Sequence, residues 1–408
     1  MTYSPVEQLA VYMEEGRRVG RVALRQRRIL FEYDPAFIAS GIDISPFRLP
    51  LRPGVFTSPD ALFDGLYGVF NDSLPDGWGR LLLDRTMEEH GVRRGQLNPL
   101  DRLACVGRNG MGALRYEPDL SGDSPGEGGG KPLALDRLAE ESAIMLSGES
   151  EEVFEELLRL SGSSAGARPK IVAQVSADRK KIVHGQADLK PGFAHWMIKF
   201  ASSQDPRDIG AIEYAYSLMA RDAGVEMPET HLFRTRKSGY FGAKRFDREG
   251  NKRVHMHSLS GLIHADHRNP TLDYNTLLRV VLVLTRNMAE VEKAYALACF
   301  NVLAHNRDDH AKNFSFLLSP GSSWRFAPAY DLTFSNGPAG EQSTMVMGEG
   351  RNPGADHLKA LGKEHNLKNA PLILERARKA IKRWGRHAAK AGVGARSTRA
   401  IAEAIGKP

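Results

Sequence analysis

A glycine- and proline-rich segment divides the chain and constrains its fold more than any other feature. Residues 119–132 contain five glycines and two prolines and almost no apolar side chains. Such a segment cannot bury enough apolar surface to join a packed core, so we interpret it as a linker. A chain of 408 residues is long enough for about two or three domains. We therefore predict an N-terminal unit over residues 1–118, with further domains beginning at residue 133.

The N-terminal unit is predicted to be rich in β-structure. Three short runs of β-branched and aromatic residues, 9–13, 18–24 and 28–33, are typical of strands. The segment 72–77 has the Asp, Ser, Pro and Gly composition of a turn, and residues 78–87 are predicted to form a helix.

Beyond the linker the pattern changes to a mixture of helices and strands. Helices are predicted over residues 133–146 and 151–160, and strands over 171–175 and 194–200. The glycine- and serine-rich segment 161–170 lies between them and is interpreted as a flexible loop. From about residue 270 onward helical patterns dominate, so the fold class is predicted to be α+β with a helical C-terminal part, divided into residues 133–250 and 251–408.

The segment 304–317 is the most informative for chemistry. Phosphoryl transfer from ATP needs an acid near the attacking hydroxyl and oxygen ligands for Mg²⁺. Asp308 would accept the hydroxyl proton, and Asn313, five positions later, would hold Mg²⁺ together with Asp331, eighteen residues further on. Lys199, a single cation in an apolar strand, would bind the ATP phosphates.

Two other interpretations of this segment remain open at this point. The Asp-Asp-His cluster is also typical of turns and helix caps. His305, Asp308, Asp309 and His310 have ligand types suited to the metal site of a hydrolase. The glycine- and serine-rich loop fits neither G-x-x-x-x-G-K-[ST] nor G-x-G-x-x-G. The order of loop, strand lysine, Asp, Asn and Asp along the chain favours a kinase-like phosphotransferase.

The composition indicates a cellular compartment and shows that the basic residues are concentrated in one region. The two cysteines exclude a disulfide framework and a cysteine-based zinc site, and no secretory or membrane-spanning pattern is present, so we expect a cytoplasmic protein without a membrane partner. The net charge is +7, but nine Lys and Arg residues and no acidic ones lie within 376–399. Without those nine, 47 basic and 49 acidic residues remain. This end is either a solvated helix face or a surface for an acidic partner.

At these residues the chain resembles the HipA family of bacterial serine/threonine kinase toxins, over nearly its whole length. Five segments in order carry the resemblance: Phe70-Asn71-Asp72-Ser73-Leu74-Pro75-Asp76-Gly77-Trp78, Gly110-Met111-Gly112-Ala113-Leu114-Arg115-Tyr116, Ser163-Ser164-Ala165-Gly166-Ala167-Arg168-Pro169-Lys170, Arg245-Phe246-Asp247-Arg248, and 306–313, which fits N-x-D-x-H-x-K-N.

The resemblance implies a two-lobed, protein-kinase-like fold related to phosphoinositide kinases. A family-specific β-rich N-terminal subdomain would precede a kinase N-lobe and an all-α C-lobe. It implies catalytic or nucleotide-binding roles for a set of residues: Asp308, His310 and Asn313 in catalysis; Lys199, Ser164, Ala165, Gly166, Ala167, Lys170, Phe246, Lys312 and Asp331 in ATP binding; Asn313 and Asp331 as Mg²⁺ ligands.

The resemblance also implies regulation and partners. Ser163, with Ser164 beside it, matches the loop serine whose autophosphorylation switches the family's kinases off, and a phosphoserine beside bound ATP phosphates would repel them. The implied partners are a HipB-like helix-turn-helix antitoxin, operator DNA bound through it, and an aminoacyl-tRNA synthetase, such as the glutamyl enzyme, as substrate. Ala243 and Lys244 stand where the family commonly has Glu before R-F-D-R, which puts a side-chain role there in doubt.

Overall fold

The computed structural model describes most of the chain, in segments separated by short gaps. Its described residues are 4–13, 16–58, 62–89, 91–121, 132–148, 156, 157, 160, 166, 168–185, 188–266, 271–319 and 323–405. They form two compact units. Unit 1 comprises Met1–Asp205, Lys244–His257 and Gly261–His264, and unit 2 comprises Pro206–Ala243, Ser258–Ser260 and Ala265–Pro408.

Unit 1 begins with a five-stranded antiparallel sheet of strand order β4-β3-β2-β1-β5. Its strands are β1 (Gln8–Met13), β2 (Arg17–Arg25), β3 (Arg28–Tyr33), β4 (Val55–Thr57) and β5 (Arg115–Glu117). Leu9, Val11 and Met13 alternate into the core along β1, because successive side chains of a strand point to opposite faces. The helices that follow are α1 (Pro35–Ala39), α2 (Gly68–Asn71), α3 (Gly77–Glu89) and α4 (Pro99–Val106).

The rest of unit 1 contains a second antiparallel arrangement. Strand β6 (Lys170–Ser176) pairs with β7 (Ile182–His184) on one side and with β8 (Phe193–Lys199) on the other. Helix α5 (Leu135–Ser147) precedes them. Nearly every residue of β6 is buried, including the polar Lys170 and Gln174.

Unit 2 is mainly helical. Its helices are α6 (Ile209–Asp222), α8 (Tyr274–Thr285), α9 (Met288–Leu303), α10 (Ala355–Glu364), α11 (Ala370–Lys382), α12 (Trp384–Ala391) and α13 (Ala395–Ile405), while α7 (Leu259–Ile263) crosses the boundary of the units. Helix α9 is buried along most of its length and packs against α8, α10 and α11. It therefore provides a fixed base for the segment that follows it.

Short strands complete the molecule. They are β9 (Thr230–Arg234), β10 (Gly239–Lys244), β11 (Arg248–Glu249), β12 (Lys252–Arg253), β13 (His255–Ser258), β14 (Leu272–Asp273), β15 (Ser315–Ser319), β16 (Ser323–Phe326) and β17 (Thr344–Met345). The pairs β9–β10 and β15–β16 are antiparallel hairpins, and β14 pairs with β17 in parallel.

The α+β prediction, with a β-rich N-terminal part and a helical C-terminal part, is confirmed. The strands predicted over 9–13, 18–24, 28–33, 171–175 and 194–200 are present within one residue at each end. The linker core, 122–131, and most of the predicted helix 151–160 lie outside the described residues, and the domain boundaries stay predictions. Among the described helices, none has the length and apolar character needed to cross a membrane.

Candidate active site

The catalytic segment predicted around Asp308 begins where α9 ends. Tyr216 of α6, fully buried, donates a hydrogen bond to the carbonyl of Ala304 at 2.7 Å and fixes this end of the helix. His305 then turns the chain with φ of +56°, a conformation uncommon for a residue with a side chain. Its ring stacks on Phe334, and the backbone of Ser335 pairs with the backbone on either side of Asn306. The loop therefore leaves the helix in a defined direction.

Asp308 is exposed, whereas the backbone that carries it is held in place. Its side chain leaves 58% of its surface open to solvent. Asn313 Nδ2 donates to the Asp308 carbonyl at 2.7 Å, and the Asn313 backbone N–H donates to the His310 carbonyl at 2.8 Å. His310 Nε2 lies 4.0 Å from the Asp308 carboxylate. The structure thus brings together the three residues predicted to be catalytic.

The neighbouring Asp309 has the opposite environment, which the sequence does not reveal. It is completely buried and accepts hydrogen bonds from the Tyr274 hydroxyl at 2.5 Å, Gln342 Nε2 at 2.8 Å and the Thr344 backbone N–H at 3.1 Å. Burial raises the pKa of Asp309 to about 7, although these donors favour the ionised form. The hydrogen bonds of Asp309 therefore fix the loop to the interior of unit 2, whereas the side chain of Asp308 faces solvent.

A chain of buried amides extends this anchor to α9. Asn301 Nδ2 donates to the Tyr274 hydroxyl at 2.9 Å, Asn306 Nδ2 donates to Asn301 Oδ1 at 2.9 Å, and Gln342 Nε2 also reaches the Asn306 carbonyl at 2.9 Å. Such networks specify one geometry because each member left unsatisfied would carry a desolvation penalty. The position of Asp308 is thus set by several elements of unit 2.

Asp331 follows a tyrosine that connects it to the same loop. The Tyr330 hydroxyl donates to the Lys312 carbonyl at 2.6 Å and lies 2.6 Å from the Ser315 hydroxyl. Asp331 has φ of +57°, and backbone strain of this kind is typical of functional sites. The side chains of Lys312, Asn313 and Asp331 are half-buried, and the hydrogen bonds of Tyr330 connect their segments within unit 2. The amide oxygen of Asn313 and the carboxylate oxygens of Asp331 are of the type that Mg²⁺ prefers.

The hydrolase alternative is not supported by the described residues. Asp309 is occupied by three donors, and His305 Nδ1 faces the Ser335 carbonyl at 3.1 Å. Across the segments that the structure covers, no group of three or more His, Cys, Asp or Glu side chains is placed to hold a metal ion.

In unit 1, strand register places two predicted nucleotide-binding lysines side by side. Lys170, the first residue of β6, is directly opposite Lys199, the last residue of β8. Lys170 is the buried member of the pair, whereas Lys199 is half-buried, the reverse of what the apolar sequence around Lys199 suggests. Like charges on opposed strand positions repel, so an anion bound between them would stabilise the pair.

Gly166 lies against this pair. A Cβ built at Gly166 would lie 2.5 Å from Lys170 Nζ, and φ of +106° favours glycine here. The Gly166 carbonyl accepts from the backbone N–H of Trp78 at the start of α3. Residues Ser163, Ser164, Ala165 and Ala167 lie outside the described residues, so their predicted roles remain predictions.

The R-F-D-R segment forms a buried charge cluster that the sequence does not predict. Asp247 accepts from Arg245 Nε at 2.9 Å, from Arg248 Nη1 at 2.7 Å and from the Gly112 backbone N–H at 2.8 Å. Burial alone would raise the pKa of Asp247, but Arg245 and Arg248 hold it well below its usual value. Phe246 between them is half-buried, and its predicted role in ATP binding remains a prediction.

This cluster explains why two distant segments of the resemblance occur together. Arg248 and Arg253 donate to the carbonyls of Gly110 and Gly112 at 2.6–3.1 Å. The backbone carbonyls of the glycine-rich stretch 110–114 therefore accept hydrogen bonds from arginines of the R-F-D-R region, within unit 1.

The turn at residues 72–77 has a similar structural role. Asp72 Oδ2 lies 2.6 Å from His257 Nδ1, and Ser45 Oγ lies 3.0 Å from His257 Nε2. Ser45, His257 and Asp72 contact one another as Ser, His and Asp do in a hydrolase triad. Ser45 and His257 are almost completely buried, however, so no substrate reaches the hydroxyl. Ser73 accepts from Tyr116 at 2.7 Å. These contacts hold the turn against the rest of unit 1.

Comparison with known proteins identifies the chain's relatives. A chain of the HipA, HipB and operator DNA complex of the Shewanella oneidensis MR-1 toxin–antitoxin system has the same fold, with a TM-score of 0.69 and 18% identity over 97% of this chain and 94% of that one. The proinflammatory kinase CtkA of Helicobacter pylori matches 34% of this chain and 50% of that one at 17% identity, with a TM-score of 0.27 that is too low to indicate a shared fold.

Family models cover both halves of the sequence. The HipA N-terminal domain matches residues 9–117, and the HipA-like C-terminal domain matches residues 162–392. The second match contains the glycine- and serine-rich loop, Lys199, the R-F-D-R cluster, the catalytic segment and Asp331. With more than half of its length in that one match, the chain belongs to the HipA family.

Proposed function

We propose that the chain is an ATP- and Mg²⁺-dependent protein serine/threonine kinase and the toxin of a HipBA-like toxin–antitoxin pair in the cytoplasm. The observation that carries the proposal is the arrangement around Asp308. An exposed carboxylate stands on a backbone clamped by Asn313 and by the buried Asp309 network. A general base must reach the substrate's proton, and a rigid support keeps it in position.

Each predicted residue then has a physical task. Asp308 accepts the proton of the attacking hydroxyl, and His310 and Lys312 of the same loop contact the γ-phosphate. Lys170 and Lys199, two opposed cations beside Gly166, bind the ATP phosphates. Asn313 and Asp331 supply the oxygen ligands for Mg²⁺, because Asn313 Nδ2 is already donated to Asp308 and the amide oxygen remains for the metal. Bound ATP would supply the phosphoryl group, and Mg²⁺ would neutralise the negative charge of its phosphates.

Substrate, partners and regulation follow from the family. We propose an aminoacyl-tRNA synthetase, such as the glutamyl enzyme, as substrate, and inactivation by autophosphorylation at Ser163 or Ser164. A HipB-like antitoxin would neutralise the kinase and connect it to operator DNA, as the composition of the Shewanella oneidensis complex supports.

The test is transfer of radioactive phosphate from ATP to the chain itself and to a purified synthetase. Asp308→Ala and Asp331→Ala should each reduce transfer by about 10²-fold or more, the first through loss of a positioned base and the second through loss of a Mg²⁺ ligand. Asp356→Ala is the matched control, since this aspartate of unit 2 is 90% exposed and lies outside the loop. Retained transfer in Asp308→Ala with normal thermal unfolding would contradict the role assigned to that residue.

Two rival functions give different results in the same assay. A small-molecule phosphotransferase would consume ATP without forming phosphoprotein. A catalytically idle co-repressor would show no thermal stabilisation by Mg-ATP, because a ligand that binds only the folded state must raise the unfolding temperature. Mass spectrometry of the wild-type product would identify whether Ser163 or Ser164 is modified.

A further inference from the structure

Unit 2 contains a half-open cavity that the phosphotransfer site does not use. It has a volume of about 430 Å³ and lies between α10, α11 and the middle of α9. Binding pockets for small ligands are commonly about 300–1,000 Å³. The cavity is therefore large enough to receive one or two side chains of another molecule.

The floor of the cavity is apolar and rigid. It is formed by Tyr295, Leu367 and Leu374, all buried. The Tyr295 hydroxyl donates to the Leu358 carbonyl at 3.0 Å, so the tyrosine is fixed and its polar end is satisfied. Gly362 brings α10 close to α11, since a Cβ built there would lie 2.6 Å from Ala370 Cβ. An apolar side chain entering the cavity would find such a surface complementary.

The rim is cationic. Four basic residues line it against one acid: Lys359, Lys363, Lys368 and Arg378, with Glu375. Lys359 pairs with Asp356 at 2.8 Å and Glu375 lies 3.9 Å from Lys379, both in exposed positions. Lys363 and Lys368 are exposed and form no ion pair with any acid in the part of the chain that the structure describes. Their charge can therefore be used by a partner.

We propose that this cavity docks an acidic peptide segment of a partner protein, with one apolar side chain on the floor and flanking carboxylates on the lysine rim. A nucleic acid is less well matched. Bases bind single-strand sites by stacking on several aromatic faces, and among the described residues that line this cavity only Tyr295 is aromatic. The inference goes beyond the proposed kinase activity and does not depend on it, since docking requires neither ATP nor Asp308.

The test is calorimetric titration of the whole chain, without ATP, with an acetylated peptide carrying one leucine flanked on both sides by glutamates. Two companion peptides replace the leucine by serine or the glutamates by glutamine, and both should bind more weakly. Affinity should fall as salt is raised, because the contacts on the rim are exposed ion pairs. The double variant Lys363→Glu/Lys368→Glu should bind the first peptide about tenfold more weakly or worse.

Lys382→Glu/Lys390→Glu is the matched control, with the same change in net charge at exposed helical positions outside the cavity. It should bind the peptide nearly as well as the unmodified chain. Equal affinities of the two double variants, or absence of binding at about millimolar peptide, would overturn the proposal. Oligothymidylate that displaces the peptide and loses affinity in the first variant alone would also overturn it, in favour of a nucleic-acid site.

Discussion

Two charged segments of this molecule, each built around an aspartate, have opposite environments. In unit 1, Asp247 is completely buried and its carboxylate accepts from two arginines and a backbone N–H. In unit 2, Asp308 leaves 58% of its side chain exposed, and a hydrogen bond from Asn313 holds its backbone. Similar residue types thus stabilise the fold in one segment and belong to the proposed catalytic loop in the other.

The difference teaches which motif residues can act on a substrate. A carboxylate whose oxygens are all hydrogen-bonded inside the protein has no open position for a substrate proton or a metal ion. An exposed carboxylate on a rigid backbone has both access and a defined position. Asp309 shows the same contrast one residue from Asp308, because it is buried and accepts three hydrogen bonds.

The largest expected effect on stability comes from breaking the buried cluster. Asp247→Ala would leave Arg245 and Arg248, both buried, without their carboxylate partner. Removing one member of a buried charge pair is expected to lower the free energy of unfolding by about 3–5 kcal/mol. Urea unfolding of the whole chain, followed by tryptophan fluorescence, measures this change.

Glu32→Gln is the control for this prediction. Glu32 pairs with Arg21 at 3.1 Å with about half of each side chain exposed, so its loss should lower the unfolding free energy by less than about 1 kcal/mol. An Asp247→Ala protein as stable as Glu32→Gln would show that burial does not separate the two kinds of charge.

The next effect concerns pH. The folded state keeps Asp309 protonated up to about pH 7, whereas in the unfolded chain its pKa is 3.8. The folded state therefore binds more protons between these values, and the stability that this residue contributes is full below about pH 3.8 and is lost as the pH rises through about 7. In Asp309→Asn this loss should be absent.

Unfolding free energies of the two proteins, measured at several pH values, give the comparison. Their difference should change by on the order of 2–3 kcal/mol between about pH 4 and pH 7, and should be constant above about pH 8. Parallel curves would mean that Asp309 ionises equally in the folded and unfolded chain, and the contrast with Asp308 would then rest on exposure alone.

The sequence predicts the elements better than the contacts. Alternating apolar residues indicate β1 to β3, and residues 304–313 indicate a functional loop, because both signals are local in the chain. The sequence does not show that Asp309 points inward while Asp308 points outward, since the two are adjacent and chemically identical. The positions of Tyr274, Gln342 and Thr344, all more than thirty residues away, decide it.

The charge cluster escapes sequence prediction for the same reason. The resemblance assigns Arg245-Phe246-Asp247-Arg248 to the nucleotide site, but the partners of this segment, Gly110 and Gly112, are over a hundred residues earlier. One signal does exist, since an aspartate surrounded by arginines next to an apolar strand suggests a buried ion pair. Every residue has a backbone carbonyl, however, so the sequence does not identify Gly110 and Gly112 as the residues whose carbonyls accept from the arginines.

The smallest effect on stability is expected in the basic end of the chain, where exposed charges have no defined chemistry. Lys379, Lys382, Arg383 and Arg386 are exposed on α11, α12 and the turn between them. Arg383 lies 3.3 Å from Asp222, and Lys379 lies 3.9 Å from Glu375. Replacing all four by glutamine should change the unfolding free energy by about 1 kcal/mol or less and leave autophosphorylation intact.

Binding is the property that should change in this variant. If the region binds operator DNA beside the antitoxin, or a tRNA-bound substrate, affinity should fall and the slope of log K against log salt should become less steep by about 0.9 for each phosphate that the variant no longer neutralises. Lys180→Gln/Lys181→Gln is the control, since these exposed lysines of unit 1 lie outside the basic end. An unchanged salt dependence would show that the nine cations form only a solvated helix surface. An exposed charged side chain would then form a functional site only where a hydrogen-bond network holds its backbone in place, as the Asp309 network does for Asp308.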